Sequence, residues 1–241
     1  MKTFFLYCLL QGPLITFEFA SIEGVCGGFG YNSNLKFPTP KNVTQFPLIN
    51  GSKDAPDASK PTDNILNQLL ATSWFSPKDG SFWVAAGLTV KAFEILNVQA
   101  VLVIQWNPEV EIGIFGLATA SIPGGQSEKE FAHVELGITA TLSFRTGALK
   151  IEGELTPASF ILDPSCHLLG GFALYTWFDN NKAASGVKGD WVFTIGGFHP
   201  LYVRPPQYPN PSRLGISWHF SNAISISGQA YFAITPKVGM G

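Results

Sequence analysis

FAHVELGITATLSF, residues 131–144, alternates with a period of two. Val134, Leu136, Ile138, Ala140 and Leu142 fall on one side. His133, Glu135, Gly137, Thr139 and Thr141 fall on the other. Successive side chains of a strand point to opposite faces, so this is the signature of a strand with two unlike faces. Directly downstream, ALKIEGEL at residues 148–155 repeats the pattern, with Leu149, Ile151, Gly153 and Leu155 set against Lys150, Glu152 and Glu154. Thr146-Gly147 between the two runs is a turn former, which makes them an antiparallel pair.

The same period extends in both directions. Strands are expected over residues 83–95, 98–106, 110–118, 171–178, 190–197, 214–220 and 224–234. Turn formers such as Asn107-Pro108, Pro123-Gly124-Gly125 and Asp179-Asn180-Asn181 separate them. Parallel pairing needs crossover helices, and the sequence lacks them. The fold class is therefore all-β: an antiparallel meander of long strands, arranged as a curved sheet, a half-barrel or a barrel. One short helix is expected at residues 63–73, where Ile65, Leu66, Leu69 and Leu70 recur at helical spacing behind Thr62 or Asp63 as a cap. Residues 14–19 alternate as a strand, whereas residues 1–10 fit either a signal peptide or a first strand. GVCGGFG at 24–30 reads as a Gly-rich turn or bend, and residues 37–61 as a loop-rich insertion. The whole of residues 1–241 is a single β-rich domain or a fragment of a longer one.

Composition narrows the function classes. The chain has 241 residues, a formal net charge of −2, 13% charged residues and 20 phenylalanines. Soluble domains carry roughly 25% charge, and disorder needs low hydrophobicity with high charge, the reverse of this balance. A basic face for nucleic acid is missing, and no apolar run approaches the ~20 residues of a transmembrane helix. Cys8, Cys26 and Cys166 do not form a disulfide framework; buried thiols are favoured over a Cys26–Cys166 bridge. From Trp191 onward there is no acidic residue. Such a low-charge segment, together with the abrupt end at residues 237–241, is expected to belong to a longer chain or to be covered by a β partner.

Several phrases resemble a known family. They are GGFGYNS at 27–33, FAHVELG at 131–137, GGFALYTWF at 170–178 and GDWVFTIGGFHP at 189–200. RLGISW at 213–218 and GQAYFAITPK at 228–237 complete the set. Together they resemble a large, mainly fungal β-rich family known only as a domain of unknown function, family 6603. The resemblance covers the chain from about Gly24 to its end and implies longer β-rich relatives. It carries no activity, cofactor or catalytic residue.

Candidate chemistry is sparse. Cys166-His167 is the best nucleophile–base pair, but neighbours in a strand point apart. His133, His167, His199 and His219 are scattered singly and lack metal-ligand spacing. Glu152 and Glu154 share a strand face with Lys150, which reads as a solvated stripe rather than a glycosidase pair. Trp177, Asp190-Trp191, Trp218 and Tyr231 are candidates for a sugar-binding aromatic platform, against the simpler reading of packing residues. VRPPQYPNPS at 203–212 reads as an extended, rigid connection between two strands, favoured over a docking strap for an aromatic groove. No residue is assigned a catalytic, cofactor-binding or metal-binding role, and no cofactor is expected. The leading function is a non-catalytic structural or interaction module. The alternatives are a carrier of an apolar ligand such as lipid in a sheet trough, and a glycan-active enzyme.

Overall fold

The computed structural model describes residues 2–50, 74–106, 108–124, 129–180, 182–184, 186–221 and 224–241. Among the described residues, fifteen strands, all paired antiparallel, form one sheet that does not close. Seven run as a plain meander: β1 (Phe4–Thr16), β2 (Ala20–Leu35), β3 (Phe75–Ala92), β4 (Leu96–Trp106), β5 (Val110–Ile122), β6 (Ala132–Ser143) and β7 (Ala148–Leu155). The pairing of β6 with β7 realises the hairpin read from residues 131–155, Ala140 lying opposite Ile151. The helix expected at 63–73 lies outside the described residues. Within them, helical structure is confined to a 3-10 turn at Val43–Gln45 and one short helix, α1 (Pro47–Asn50).

Past β6 the sheet forks. Leu136–Ser143 of β6 pair with β7, while Ala132 and His133 pair with β8 (Phe160–Ile161). One branch continues from β7 through β10 (Gly171–Trp177), β11 (Trp191–Ile195), β14 (Phe232–Ile234) and β15 (Gly239–Met240). The other runs from β8 through β9 (Asp163–Leu169) and β12 (Leu214–Ser221) to β13 (Ile224–Ala230). The chain crosses between branches at Gly170, whose φ of 137° suits a residue without Cβ. It returns along residues 196–213 and crosses a second time, in the same direction, at Tyr231. For this reason residues 224–234 are two strands rather than the one expected: β13 pairs with β12 and β14 with β11.

Two further expectations are corrected. Residues 14–19 are a strand only as far as Thr16, because Phe17–Phe19 form the hairpin into β2, closed by Phe17 N–H donating to Ala20 O. The Gly-rich run 24–30 is no turn. It lies inside β2, between β1 and β3, where Gly28 and Gly30 leave room for the Trp83 side chain on the neighbouring strand.

Both hydrophobic clusters lie on the same face of the sheet. On the first strands, Trp83, Val101, Val103, Phe115 and Leu117 are covered by Val43, Phe46, Leu48 and Ile49. The described part of the loop-rich segment is thus core: Phe37 and Phe46 set their rings edge-on against Phe115 at 4.9 and 5.3 Å. The covering chain passes so close to β6 that a side chain at Gly137 would strike the Pro40 carbonyl. On the later strands, Ala173, Tyr175, Trp177 and Val192 are covered by Val187, Phe198 and Tyr208. The proline-rich connection 203–212 therefore works as a strap, stacking Tyr208 on Trp177 at 5.6 Å.

Candidate functional site

The opposite face carries the unusual feature. A register row crosses ten strands there: Cys8, Gly27, Ala86, Leu102, Ile114, Ala140, Ile151, Leu174, Phe193 and Ile234. No member is charged, and apart from the Cys8 thiol none carries a hydrogen-bonding side chain. The next row runs Leu10, Val25, Leu88, Ala100, Gly116, Ile138, Gly153, Phe172, Ile195 and Phe232. Towards one end of the strands, Phe4, Tyr31, Phe82 and Trp106 form an aromatic row over β1–β4, with Phe82 and Trp106 stacked at 4.7 Å. Leu6, Leu10, Leu88, Leu102 and Ile114 are exposed on this face. Monomers rarely leave so continuous an apolar surface in water.

Alternation has thus sorted the side chains in the expected way, but packing has taken the other face. The covered side is the one holding Gln99, Gln105, Thr139, Lys150, Glu152 and Glu154, and Gln105, Glu152 and Glu154 are bonded to neighbouring segments there. Gln105 Oε1 accepts from Leu35 N–H at 2.7 Å. Tyr175 Oη donates to Glu152 at 2.8 Å. Glu154 is nearly buried, 3.7 Å from Lys41 Nζ, and accepts from Ser212 N–H at 3.4 Å. Glu152 and Glu154 are consequently not a solvated stripe, because the covering segments lie over them. Burial first, then the Glu152 carboxylate, push the Tyr175 hydroxyl up, against a partial opposing effect of the Arg204 guanidinium.

The remaining candidates are dispersed. Cys166 is fully buried in β9 opposite Trp218, while His167 is exposed on the other face opposite Ser217. Burial, with the Asp163 charge as a smaller cause, raises the Cys166 thiol above its ordinary value, the wrong direction for a nucleophile. His133 Nδ1 sits 3.0 Å from Ser121 Oγ, and His199 Nδ1 accepts from the Leu201 N–H at 3.1 Å, a turn contact of the kind read from the sequence. His219 is exposed in β12 opposite Ser225. Among the described residues, no three His, Cys, Asp or Glu side chains converge as a metal site. The aromatic platform is not assembled: Trp177 is buried under the strap, Trp191 is on the apolar face, Trp218 is on the other branch, and Tyr231 lies beneath Arg213.

Because no catalytic groups converge among the described residues, identity rests on the sequence as a whole. Residues 1–241 match the family described as Family of unknown function (DUF6603). The chain belongs to this family. No curated protein and no solved structure matches it. For DUF6603 this chain supplies a description of the forked sheet and its two unlike faces. Among the described residues no helix is long and apolar enough to cross a membrane, a statement that does not extend to strands.

Proposed function

We propose that this domain is a non-catalytic interaction module that works through its uncovered apolar face, and that the face holds lipid acyl chains. The observation that carries the reading is the ten-strand row from Cys8 to Ile234, with no charged side chain along it. A protein partner of ordinary size makes about ten hydrogen bonds across its interface, and these rows offer almost no side chain to make them. Hydrocarbon asks for none. The aromatic row of Phe4, Tyr31, Phe82 and Trp106 beside an aliphatic field supports the same reading, since aromatic rings favour the border between hydrocarbon and water. The sheet is open along β1, and unpaired strand edges are too costly inside a bilayer. A trough that takes up acyl chains while its edge stays in water fits better than a spanning sheet.

The open β1 edge favours a second reading, a covering β partner that pairs along Phe4–Thr16. Native mass spectrometry of the purified protein, followed by solvent extraction, separates the two. Co-purified acyl lipid on a monomer is the expected result. A folded, lipid-free monomer, or a lipid-free dimer, overturns the lipid reading, and the dimer points to the β partner.

A further inference from the structure

On the covered side, beside the strap, Gly197, His199, Arg204, Asn210 and Arg213 line an open cleft of about 260 Å³. Its charge is one-sided. Every residue from Trp191 to the end of the chain is non-acidic. Glu152 is engaged by Tyr175, Glu154 by Lys41 and the Ser212 N–H, and Asp190 by Tyr208 Oη at 2.6 Å. Among the described residues, no carboxylate forms an ion pair with Arg204 or Arg213. Opposite charge is the usual companion of a partly buried guanidinium, and here it is missing.

The cationic groups are nonetheless held in place. Arg213 lies over the Tyr231 ring, 4.4 Å from its centroid, and its Nη2 donates to Phe198 O at 2.8 Å. Its Nη1 is buried and has no hydrogen-bond partner. Arg204 Nη1 donates to Tyr208 O. His199 meets the same Tyr231 ring edge-on at 6.0 Å. Because His199 Nδ1 accepts from the Leu201 N–H, the proton of the neutral ring belongs on Nε2, leaving that nitrogen a donor. Nη1 is too enclosed for a ligand in the cleft to touch, so the donors on offer there are the remaining N–H groups of the two guanidiniums, which match the oxygens of a phosphate.

We infer that this cleft binds a phosphate group, with Arg213 and Arg204 as the charged donors and His199 and Asn210 as neutral ones. The ligand is a free phosphate, a small phosphomonoester or the headgroup of a phosphate lipid; the recognising chemistry is the same. The site is independent of the apolar face, which lies on the other side of the sheet.

The test is calorimetric titration of the full chain with inorganic phosphate, with glycerol phosphate, and with vesicles carrying phosphatidate in a neutral lipid. Saturable binding in at least one arm is expected, weakened tenfold or more in Arg213→Met and in Arg204→Met. Lys188→Met, a surface lysine paired with Asp179, should bind as the parent does. Binding to inorganic phosphate assigns a soluble ligand. Binding only to the vesicles, still lost in the arginine variants, assigns a headgroup. Should Arg213→Met fail to fold, Arg204→Met decides, since its guanidinium caps a loop carbonyl rather than the core. Absence of saturable binding in all three arms, or binding unchanged in Arg204→Met, overturns the inference.

Discussion

The indole of Trp83 occupies the space that a side chain at Gly30 would need: a Cβ built there would collide with its Nε1 and Cε2. The register places the two residues directly opposite each other on β2 and β3, and Trp83 is fully buried. Glycine weakens an isolated strand, yet here it lets a large ring lie flat along its neighbour, held by Trp83 Nε1–H donating to Ser33 Oγ at 3.3 Å. Gly30→Val should therefore destabilise by about 1–3 kcal/mol, the usual cost of overpacking a core. Gly27→Ala, which meets only the Ala85 carbonyl at 3.9 Å, should be near neutral. Urea unfolding of the two variants checks this. Equal midpoints would mean that Trp83 is free to move aside.

The thiols should separate cleanly by accessibility. Cys8 is exposed on the outer face, Cys26 is half-buried with its thiol raised mainly by burial, and Cys166 is fully buried and likewise raised. Thiolate character and exposure set alkylation rates. Iodoacetamide under native conditions should label Cys8 first, Cys26 more slowly, and Cys166 only after denaturation, as read by peptide mass spectrometry. Early labelling of Cys166 would contradict its place in β9.

Alkaline pH should expose the buried tyrosines. Burial is the largest cause of a raised hydroxyl at Tyr7, Tyr175 and Tyr208, helped by Cys26, Glu152 and Asp190 respectively. Each is neutral in the folded chain at a pH where the unfolded chain, near pKa 10, has begun to ionise. The unfolded state then binds fewer protons, so stability is fully present below about pH 10 and falls as pH rises above it. Of the six tyrosines, these three should not ionise with the ordinary midpoint in a titration at ~295 nm, and their ionisation should coincide with unfolding. Six midpoints near 10 with the fold intact would refute the burial.

Much of this sheet was legible in the sequence, and the parts that were not share a physical cause. The 148–155 strand is legible to the residue, since Leu149, Ile151 and Leu155 alternate with charges. GVCGGFG reads as a turn because glycine is depleted from strands, and its filler, Trp83, lies more than fifty residues away. Phe37 to Asn50 looked like a loop because its prolines break periodicity, yet Val43, Phe46, Leu48 and Ile49 are core. Alternation specifies two faces but not which one is covered, and that choice belongs to these irregular segments. The arginine cleft was invisible for a related reason. Arg204 and Arg213 are nine residues apart on a connection whose path is set by Tyr208 docking on Trp177.

The strongest discrimination between the two faces comes from Phe115 and Ile114, adjacent in β5. Phe115 is fully buried among Phe37, Phe46 and Val101, while Ile114 is half exposed opposite Leu102. Phe115→Ala removes a ring from a packed core and should cost about 3–5 kcal/mol. Ile114→Gln and Leu102→Gln change a surface that nothing among the described residues packs against, so each should alter stability by no more than about 0.5 kcal/mol. Their effect should appear elsewhere. Placing two amides at the centre of a charge-free row leaves polar groups to be desolvated whenever hydrocarbon covers it. The double variant should therefore keep the parent unfolding midpoint and lose acyl-lipid retention and hydrophobic-dye binding. A double variant that unfolds as readily as Phe115→Ala would show that the outer face is packed after all. One that retains lipid at the parent level would place the lipid somewhere other than this face.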